Sequence, residues 1–170
     1  MFPIIHKSAE QGCKEDYSDI LGGLGARYID HGSFARVYTL PSKKQVVKVG
    51  AIRGNESYLK FVDELSKMKK NNPYFPKIAK VEFYGNLTFA VFMEKLAPWK
   101  DPAAGELAED IENWVRFAWA TSDAALYSAG ALLRRVRDGH WAFQFDLHQY
   151  NIMLRGKQLV FIDPLCNFSY

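Results

Sequence analysis

The sequence lacks several features that would each assign a protein to a broad class. It contains no run of about 20 apolar residues, the length that spans a membrane. Its N-terminus has neither the basic start nor the apolar core of a secretory signal. Its two cysteines, Cys13 and Cys166, lie far apart and belong to no paired motif. We therefore predict a cytoplasmic protein with reduced thiols and no membrane partner.

Strong charge and metal-ligand spacing are also absent. The formal net charge is +3 and the pI is near 8.8, which is too small an excess to argue for direct nucleic acid binding. The four histidines show no metal-ligand spacing. Apolar residues, in contrast, are abundant: 48% of the 170 residues are hydrophobic and 15% are aromatic. This composition predicts a compact soluble protein of one domain, or a two-lobed domain of reduced size.

The most informative pattern lies near the C-terminus. Asp146 is followed five residues later by Asn151, and Asp163 follows after a hairpin pattern over 152–162 with its turn at Gly156. Phosphoryl transfer from ATP requires such a set. One carboxylate can take the proton of an attacking hydroxyl, while the amide and the other carboxylate can hold Mg²⁺. The hairpin places both metal-ligand candidates at the same end of one ribbon.

A second pattern upstream supplies the other half of an ATP site. Residues 27–38 predict strand, tight turn and strand, and 45–49 predict a third strand that carries Lys48 among valines. An ammonium buried in such a strand is costly unless an anion meets it. Each feature alone has an ordinary explanation, because Lys48 could be solvated and Gly32 could be a turn glycine. Their order, gaps and strand context favour a phosphate-binding loop above a strand lysine.

At these residues the sequence resembles a known family. The stretches 28–49 and 145–168 are similar to the early serine/threonine protein kinase of the T-seven-like bacteriophages. The motif Asp-Leu-His-x-x-Asn at 146–151 is also similar to the corresponding motif of aminoglycoside and choline phosphotransferases, which belong to the same kinase-like superfamily. The residues that carry the resemblance are Gly32, Phe34 and Tyr38 in the loop, Val47 to Gly50 in the strand, Phe145 to Met153, and Asp163-Pro164.

The resemblance implies an α+β, protein-kinase-like bilobal fold. It would have a small antiparallel β-sheet N-lobe and a reduced, mostly helical C-lobe with a catalytic β-hairpin. We predict an N-terminal extension over 1–26, an N-lobe with hinge over 27–96 and a reduced C-lobe over 97–170. Predicted elements are helices at 8–21, 55–70, 106–119 and 122–137, and a strand pair at 77–83 and 87–93. In the helix at 55–70, the apolar stripe of Tyr58, Phe61, Leu65 and Met68 is expected in the core.

The resemblance also implies roles for the catalytic residues. Asp146 would be the base that deprotonates the acceptor hydroxyl, and Asn151 and Asp163 would chelate Mg²⁺. Lys48 would hold the α- and β-phosphates of ATP. His148 stands where protein kinases usually have a lysine, and it could either stabilise the transferring group or brace the loop.

Further ATP contacts follow from the same resemblance. Gly32, Ser33, Phe34 and Val37 would form the loop over the phosphates, and backbone groups of Met93, Glu94 and Leu96 would bind the adenine. The carboxylate that holds Lys48 is open between two residues. Glu64 lies in mid-helix, where the kinase pattern expects it, whereas Glu56 begins a family-like Glu-x-Tyr run; we prefer Glu64.

The sequence also departs from the family pattern. Of the usual three loop glycines only Gly32 is present, and Gln144-Phe145 replace the His-Arg that normally precedes the catalytic Asp. Seven residues follow Asp163, so we expect neither an activation segment nor a peptide-binding platform. Pro164 fixes its φ and replaces the mobile phenylalanine, so we expect no in-and-out switching.

Three functions follow from these residues and departures. The first is a minimal Mg·ATP-dependent serine/threonine kinase that phosphorylates host proteins during takeover, with RNA polymerase or RNA-processing enzymes as the implied targets. It would lack the C-terminal extension linked to host transcription shutoff. The second is a pseudokinase-like protein that inhibits a host partner by binding. The third is a small-molecule phosphotransferase of the aminoglycoside or choline type.

Overall fold

We describe the protein from a computed structural model. It describes residues 3–7, 21–32, 35–42, 44–85, 87–117 and 121–167. The predicted helix at 8–21, apart from Leu21, and the loop residues Ser33 and Phe34 lie outside these ranges. The chain divides into two compact units, Met1–Asn55 with Lys77–Lys95 and Glu56–Pro76 with Leu96–Tyr170.

The first unit is built on a six-stranded sheet with the order β1-β5-β6-β4-β3-β2. β1 runs parallel to β5, and the other neighbours are antiparallel. The predicted antiparallel sheet is therefore confirmed, with one unexpected parallel strand at its edge. The strands are β1 (Ile4–Lys7), β2 (Arg27–His31), β3 (Ala35–Thr39), β4 (Gln45–Ala51), β5 (Ile78–Tyr84) and β6 (Thr88–Glu94).

The two central strands, β4 and β6, are apolar because both of their faces are covered. Val47 and Val49 are fully buried and belong to a cluster with Tyr84 and Phe92, against which Leu24 packs. Successive side chains in a strand point to opposite faces of the sheet. Lys48, which is also buried, therefore lies on the face opposite Val47 and Val49.

Among the described residues, the second unit contains three α-helices of 11 to 15 residues and five short strands. The three-stranded sheet has the order β10-β9-β7, and β11 pairs with β8. The helices are α1 (Glu56–Ser66), α2 (Ala104–Phe117) and α3 (Ala124–Asp138). The strands are β7 (Ala97–Pro98), β8 (Phe143–Phe145), β9 (Ile152–Arg155), β10 (Gln158–Phe161) and β11 (Leu165–Asn167).

Close helix packing supports the core of this unit. α2 and α3 approach each other where Gly130 faces Trp114, and a Cβ at Gly130 would lie 2.9 Å from the indole ring. A larger residue at this position would therefore force the helices apart. Fully buried side chains of the unit include Phe61, Val115, Leu133, Leu147, Ile152, Phe161 and Leu165.

α1 is shorter than predicted. The sequence predicted a helix over 55–70, but it ends at Ser66. The Ser66 hydroxyl donates to the carbonyl of Asp63 at 2.7 Å. The N–H groups of Lys67 and Met68 bond to carbonyls three residues back, which tightens the last turn and stops the helix. The predicted apolar stripe is buried at Tyr58, Phe61 and Leu65, whereas Met68 is half-buried.

The compact units do not coincide with the predicted ranges. Residues 56–76, which the sequence placed within 27–96, group with the second unit. The assignment of 1–26, 27–96 and 97–170 to an extension and two kinase lobes stays a prediction. Within the described ranges, no helix is both long enough and apolar enough to cross a bilayer.

Candidate active site

Two strand pairs of the second unit bring Asp146, Asn151 and Asp163 to neighbouring strand ends. In the β9–β10 hairpin, the N–H of Ile162 donates to the carbonyl of Asn151 at 2.9 Å. Beyond the β8–β11 pair, the N–H of Asp146 donates to the carbonyl of Pro164 at 2.9 Å. The predicted hairpin is confirmed, and Gly156 makes its turn at a φ of 64°, which favours glycine.

The amide of Asn151 ties this arrangement together. Its Nδ2 donates to both the backbone carbonyl and the Oδ2 of Asp146, each at 2.9 Å. Because the nitrogen end is directed to Asp146, the Oδ1 end of the same amide is the atom that can act as a ligand. Amide and carboxylate oxygens are the donors that Mg²⁺ prefers.

His148 braces the turn between these two residues. Its Nδ1 accepts the N–H of Tyr150 at 3.2 Å and so caps the 3-10 turn Gln149–Asn151. An accepting Nδ1 places a ring proton on Nε2. The protonated Nε2 lies 3.4 Å from Oδ1 of Asp146. These contacts are those of a bracing residue, and the choice between the two roles predicted for His148 stays a prediction.

The surroundings of Asp146 raise the pKa of its carboxyl. Partial burial raises the pKa of its carboxyl above the ordinary value, while nearby His148 lowers it. The charges of Asp163 and Glu112 add to the rise in pKa, and the hydrogen bond from Asn151 opposes it. A carboxylate with a raised pKa is a stronger base and suits proton abstraction.

Glu112 of α2 supports the loop that follows Asp146, and no sequence pattern indicated this role. Its Oε2 accepts the N–H of Leu147, the residue after Asp146, at 3.2 Å. Its Oε1 accepts from Arg116 at 2.6 Å. Glu112 and Arg116 form a common i,i+4 pair, so the sequence pattern predicts no more than a solvated helix face. Only the approach of α2 to the loop reveals the contact.

The resemblance implies magnesium, and the candidate ligands must fit the donors that this ion requires. Among the residues that the structure describes, no group of three or more His, Cys, Asp or Glu side chains is arranged to hold a metal ion. Mg²⁺ needs only one or two protein oxygens, because it keeps water and substrate phosphate as its other ligands. Asp163 and Asn151 satisfy that smaller requirement.

Asp163 also influences the buried tyrosine of α1. Burial raises the pKa of the Tyr58 phenol well above its usual value, and the charge of Asp163 raises that pKa further. Tyr58 and Asp163 both belong to the second unit. Tyr58 was predicted as a core residue only, and no sequence pattern connected it to Asp163.

The predicted phosphate-contacting residues lie in the first unit. Lys48 is buried on β4, where its register partners are Val37 on β3 and Val91 on β6. Gly32 is exposed at the end of β2, and its N–H donates to the carbonyl of Ala35 at 2.9 Å. A Cβ at Gly32 would meet no atom within 4 Å.

The predicted adenine-binding segment continues from β6. Met93 is buried, and the N–H of Glu94 donates to the carbonyl of Lys77 at 3.1 Å. The carboxylate of Glu94 in turn accepts the N–H of Lys77 at 2.8 Å. Leu96 is buried and belongs to the second unit. The N–H of Glu94 therefore already has a partner within the protein. Adenine binding by Met93, Glu94 and Leu96 stays a prediction.

The two candidate partners of Lys48 are both engaged within the second unit. Glu64 accepts from Lys67 and from Arg135 of α3, each at 2.9 Å. The hydrogen bond from Lys67 is the main reason that the pKa of Glu64 lies below its ordinary value. Glu56 accepts a hydrogen bond from Asn167. The choice between Glu64 and Glu56 stays a prediction.

Comparisons with known proteins add little to this geometry. No protein-family profile matches the chain, and no curated protein matches it. Among solved structures, the chain is similar to the crystal structure of the BubR1 kinase domain, with 13% identity and a TM-score of 0.42. The match covers 84% of this chain and 46% of that one, so the chain spans less than half the length of the kinase domain. At so low a TM-score the match carries no argument.

Proposed function

We propose that this protein is a Mg²⁺- and ATP-dependent phosphotransferase whose acceptor is a serine or threonine hydroxyl. One observation carries the proposal. The Asn151 amide donates to both the backbone and the side chain of Asp146, at the strand ends that also hold Asp163. The carboxylate of Asp146, which can accept a proton, would thereby lie close to the amide oxygen of Asn151 and to the carboxylate of Asp163.

Asp146 acts on the acceptor. As the hydroxyl oxygen forms its bond to the γ-phosphorus, the bond from that phosphorus to the β–γ bridging oxygen breaks and ADP leaves. The hydroxyl proton passes to the carboxylate of Asp146. Burial and the charge of Asp163 raise the pKa of Asp146, while His148 and Asn151 oppose the rise. Because the net shift is upward, the ionised form of Asp146 is a better proton acceptor.

Asn151 and Asp163 supply the remaining chemistry through a metal. Asn151 Oδ1 and a carboxylate oxygen of Asp163 would hold Mg²⁺, which when bound neutralises charge on the phosphate oxygens. Lys48 is proposed to bind the α- and β-phosphates, with further contacts from Gly32 at the end of β2 and Val37 on β3. Lys48 is buried in the centre of the sheet on β4, the strand position that the kinase resemblance gives to the phosphate-binding lysine.

The acceptor that we propose is a protein. The sequence resemblance to the phage kinase implies host proteins, with RNA polymerase or RNA-processing enzymes as targets. The resemblance to aminoglycoside and choline phosphotransferases leaves a small hydroxylated molecule as the other acceptor class, and an assay can include both.

The test is transfer of label from γ-labelled ATP in the presence of Mg²⁺ and a bacterial lysate. We expect the full chain to label discrete proteins. Asp146→Asn should reduce the rate by roughly 10²- to 10⁴-fold, because it removes the base, while ATP binding is retained. The matched control is Asp138→Asn, which changes an exposed carboxylate at the end of α3 and should not alter the rate.

Two results would overturn the proposal. Unchanged transfer by Asp146→Asn would show that this carboxylate is not the base. Absence of label from lysate proteins and added small acceptors, with or without ATP binding, would favour the alternative of a protein that acts by binding a partner.

A further inference from the structure

The edge strand β2 and its neighbour β3 carry four side chains that have no role in the proposed chemistry. The register pairs Tyr28 with Tyr38 and His31 with Arg36. Paired residues of an antiparallel ribbon have their side chains on the same face. Tyr28 and His31 would lie on opposite faces of a regular strand, but the register shifts between Tyr28 and Asp30. The extra residue of this bulge brings all four side chains, which we call the β2–β3 platform, to one face.

The platform lies on the face of the sheet opposite to Lys48. Tyr38 pairs with Val47 of β4, whose side chain points away from that of the adjacent Lys48. Leu24 and Leu40 pack against the buried cluster that contains Val47, and Tyr38 packs against the same cluster. The platform therefore continues the face of this cluster to the edge of the sheet. A ligand bound there would not occupy the face on which the phosphate contacts are predicted.

Contacts within the platform fix the ring of Tyr28 and still leave it exposed. The ring meets that of Tyr38 edge-on at 5.7 Å, and its hydroxyl shares a hydrogen bond of 2.6 Å with Nδ1 of His31. Because the phenolic oxygen and Nδ1 lie in the planes of their rings, this bond joins the two rings at their edges. The ring planes are inclined by only 28°. Tyr28 is 55% exposed and His31 is also exposed, so this aromatic surface is open to a flat ligand.

The charge beside these rings favours an anionic ligand. Arg36 is exposed and is the cross-strand neighbour of His31. The one carboxylate of the two strands belongs to Asp30, which pairs with Val37 and therefore lies on the opposite face. Exposed aromatic rings on strands, with a guanidinium beside them, are the elements with which proteins hold the bases and phosphates of single-stranded nucleic acids.

We propose that the β2–β3 platform binds a single-stranded nucleic acid, with a base stacked on Tyr28 and His31 and an adjoining phosphate held by Arg36. The net charge of +3 gave no indication of such a site, because one cation suffices and stacking supplies most of the binding. The inference goes beyond the proposed function and does not depend on it, since binding to the platform requires no phosphoryl transfer.

The test is the fluorescence anisotropy of a short labelled oligouridylate titrated with the full chain. An excess of a non-hydrolysable ATP analogue and Mg²⁺ is present, so that the predicted nucleotide site does not capture the probe. Tyr28→Ala removes the stacking surface and should weaken binding roughly 5- to 100-fold. Tyr28→Phe keeps the ring and should bind nearly as well as wild type. The matched control is Tyr127→Ala, which removes a tyrosine of α3 that is 50% exposed and should leave binding unchanged.

The salt dependence of binding tests the phosphate contact separately. Arg36→Gln should make the slope of log K against log salt concentration shallower by about 0.7, the contribution of one phosphate contact in a single strand. Arg53→Gln changes another exposed arginine of the first unit and should keep the wild-type slope. This measurement does not rely on Tyr28→Ala, whose folding is checked by its melting temperature. Because Tyr28 is exposed, that temperature should stay close to the wild-type value.

Three results would overturn the inference. The first is the absence of oligouridylate binding by wild type, and the second is equal binding by wild type and folded Tyr28→Ala. The third is an unchanged salt slope in Arg36→Gln. Exposed aromatic surfaces also bind proline-rich peptides, so an oligoproline peptide is titrated in the same way. Tyr28-dependent binding of that peptide, with no binding of the oligouridylate, would assign the platform to a protein partner and overturn the nucleic acid proposal.

Discussion

Asn151 connects the backbone of the candidate site to its chemistry through the two ends of one amide. The nitrogen end is committed to two oxygens of Asp146 at 2.9 Å each. A carboxylate in place of that nitrogen would bring two negative groups together, which is unfavourable at such a distance. The amide is therefore the side chain that can both face a carboxylate and offer an oxygen to a cation.

We accordingly expect Asn151→Asp to be poorly active although it keeps a metal-ligating oxygen. The lost hydrogen bonds and the new repulsion should lower kcat/KM by roughly 10- to 100-fold, on the scale of one or two charge-assisted bonds. Steady-state kinetics would measure the loss. Asn71→Asp, an exposed change in a loop of the same unit, is the control, and wild-type kinetics in Asn151→Asp would contradict the assigned role.

Substitution of Gly32 can test the predicted phosphate-binding loop without a large change in the stability of the protein. Its φ is not in the left-handed region, and a Cβ there would meet no atom within 4 Å. Gly32→Ala should therefore change the free energy of unfolding by no more than about 0.5 kcal/mol. If the backbone of Gly32 approaches the phosphates, the added methyl group should raise KM for ATP several-fold. An unchanged KM would indicate that Gly32 serves only as a turn residue.

At the scale of elements, the regular spacing of apolar residues was sufficient to predict the longer strands and helices. Alternating or continuous apolar residues correctly predicted β4, β5, β6 and the β9–β10 hairpin, because those strands are buried against a local neighbour. The helices α2 and α3 also lie within a few residues of their predicted positions.

The elements that were missed are defined by distant partners. β7 has two residues, and β8 and β11 have three each, so no periodicity can develop within them. Their pairing depends on tertiary contacts, as does the parallel pairing of β1 with β5. Similarly, the spacing of Asp146 and Asn151 could be found along the chain, whereas the contact of Glu112 with Leu147 could not, since 35 residues separate the two.

The N-terminus of α3 provides a prediction about pH. Asp123 caps the helix by accepting the N–H groups of Ala125 at 2.8 Å and Leu126 at 2.9 Å, and its other oxygen accepts from the hydroxyl of Tyr74 at 2.6 Å. The bond from Tyr74, followed by the bond from the Leu126 N–H, lowers the pKa of Asp123 below its ordinary value.

A lowered pKa means that the ionised carboxylate stabilises the folded state. This contribution is fully present above the unfolded pKa of Asp123 and is lost as pH falls through its folded pKa. Asp123→Ala should therefore lower Tm near neutral pH, and the difference from wild type should shrink in acid. Asp123→Asn keeps a cap without the charge, so its difference should vary less with pH. Melting curves from about pH 7 to about pH 3 would measure both, and a difference for Asp123→Ala that does not vary with pH would contradict the charge contribution.

On the scale of the whole molecule, neither compact unit is continuous in sequence. The chain leaves the first unit after Asn55, returns to it at Lys77 and leaves it again after Lys95. The candidate base and the metal-ligand candidates belong to the second unit, whereas Lys48 and Gly32 belong to the first. The residues proposed to act on the acceptor and the residues predicted to contact the phosphates thus belong to different units.

The segment 56–76 is bonded tightly to the rest of the second unit. Phe61 of α1 is fully buried, and the ring of Phe75 packs edge-on against Phe161 of β10 at 6.4 Å. The guanidinium of Arg155 donates to the carbonyls of Pro73 and Phe75 at 2.9 Å each. The N–H of Phe161 donates to the carbonyl of Tyr74 at 2.8 Å. The hairpin that carries the candidate site therefore depends on a segment distant in sequence.

We expect that residues 96–170 alone will not fold, because they would expose the surfaces that α1 and residues 72–76 cover. Thermal melting followed by circular dichroism should show no cooperative transition for 96–170. Joining 56–76 to 96–170 through a flexible glycine-serine linker should restore a transition, since it returns the missing apolar side chains and backbone partners. The control is the same joined chain with Phe61→Ala, which should lose roughly 3–5 kcal/mol of stability. A cooperative transition for 96–170 by itself would mean that the unit does not require this segment, and that its hairpin is stabilised by the contacts of α2 and α3 alone.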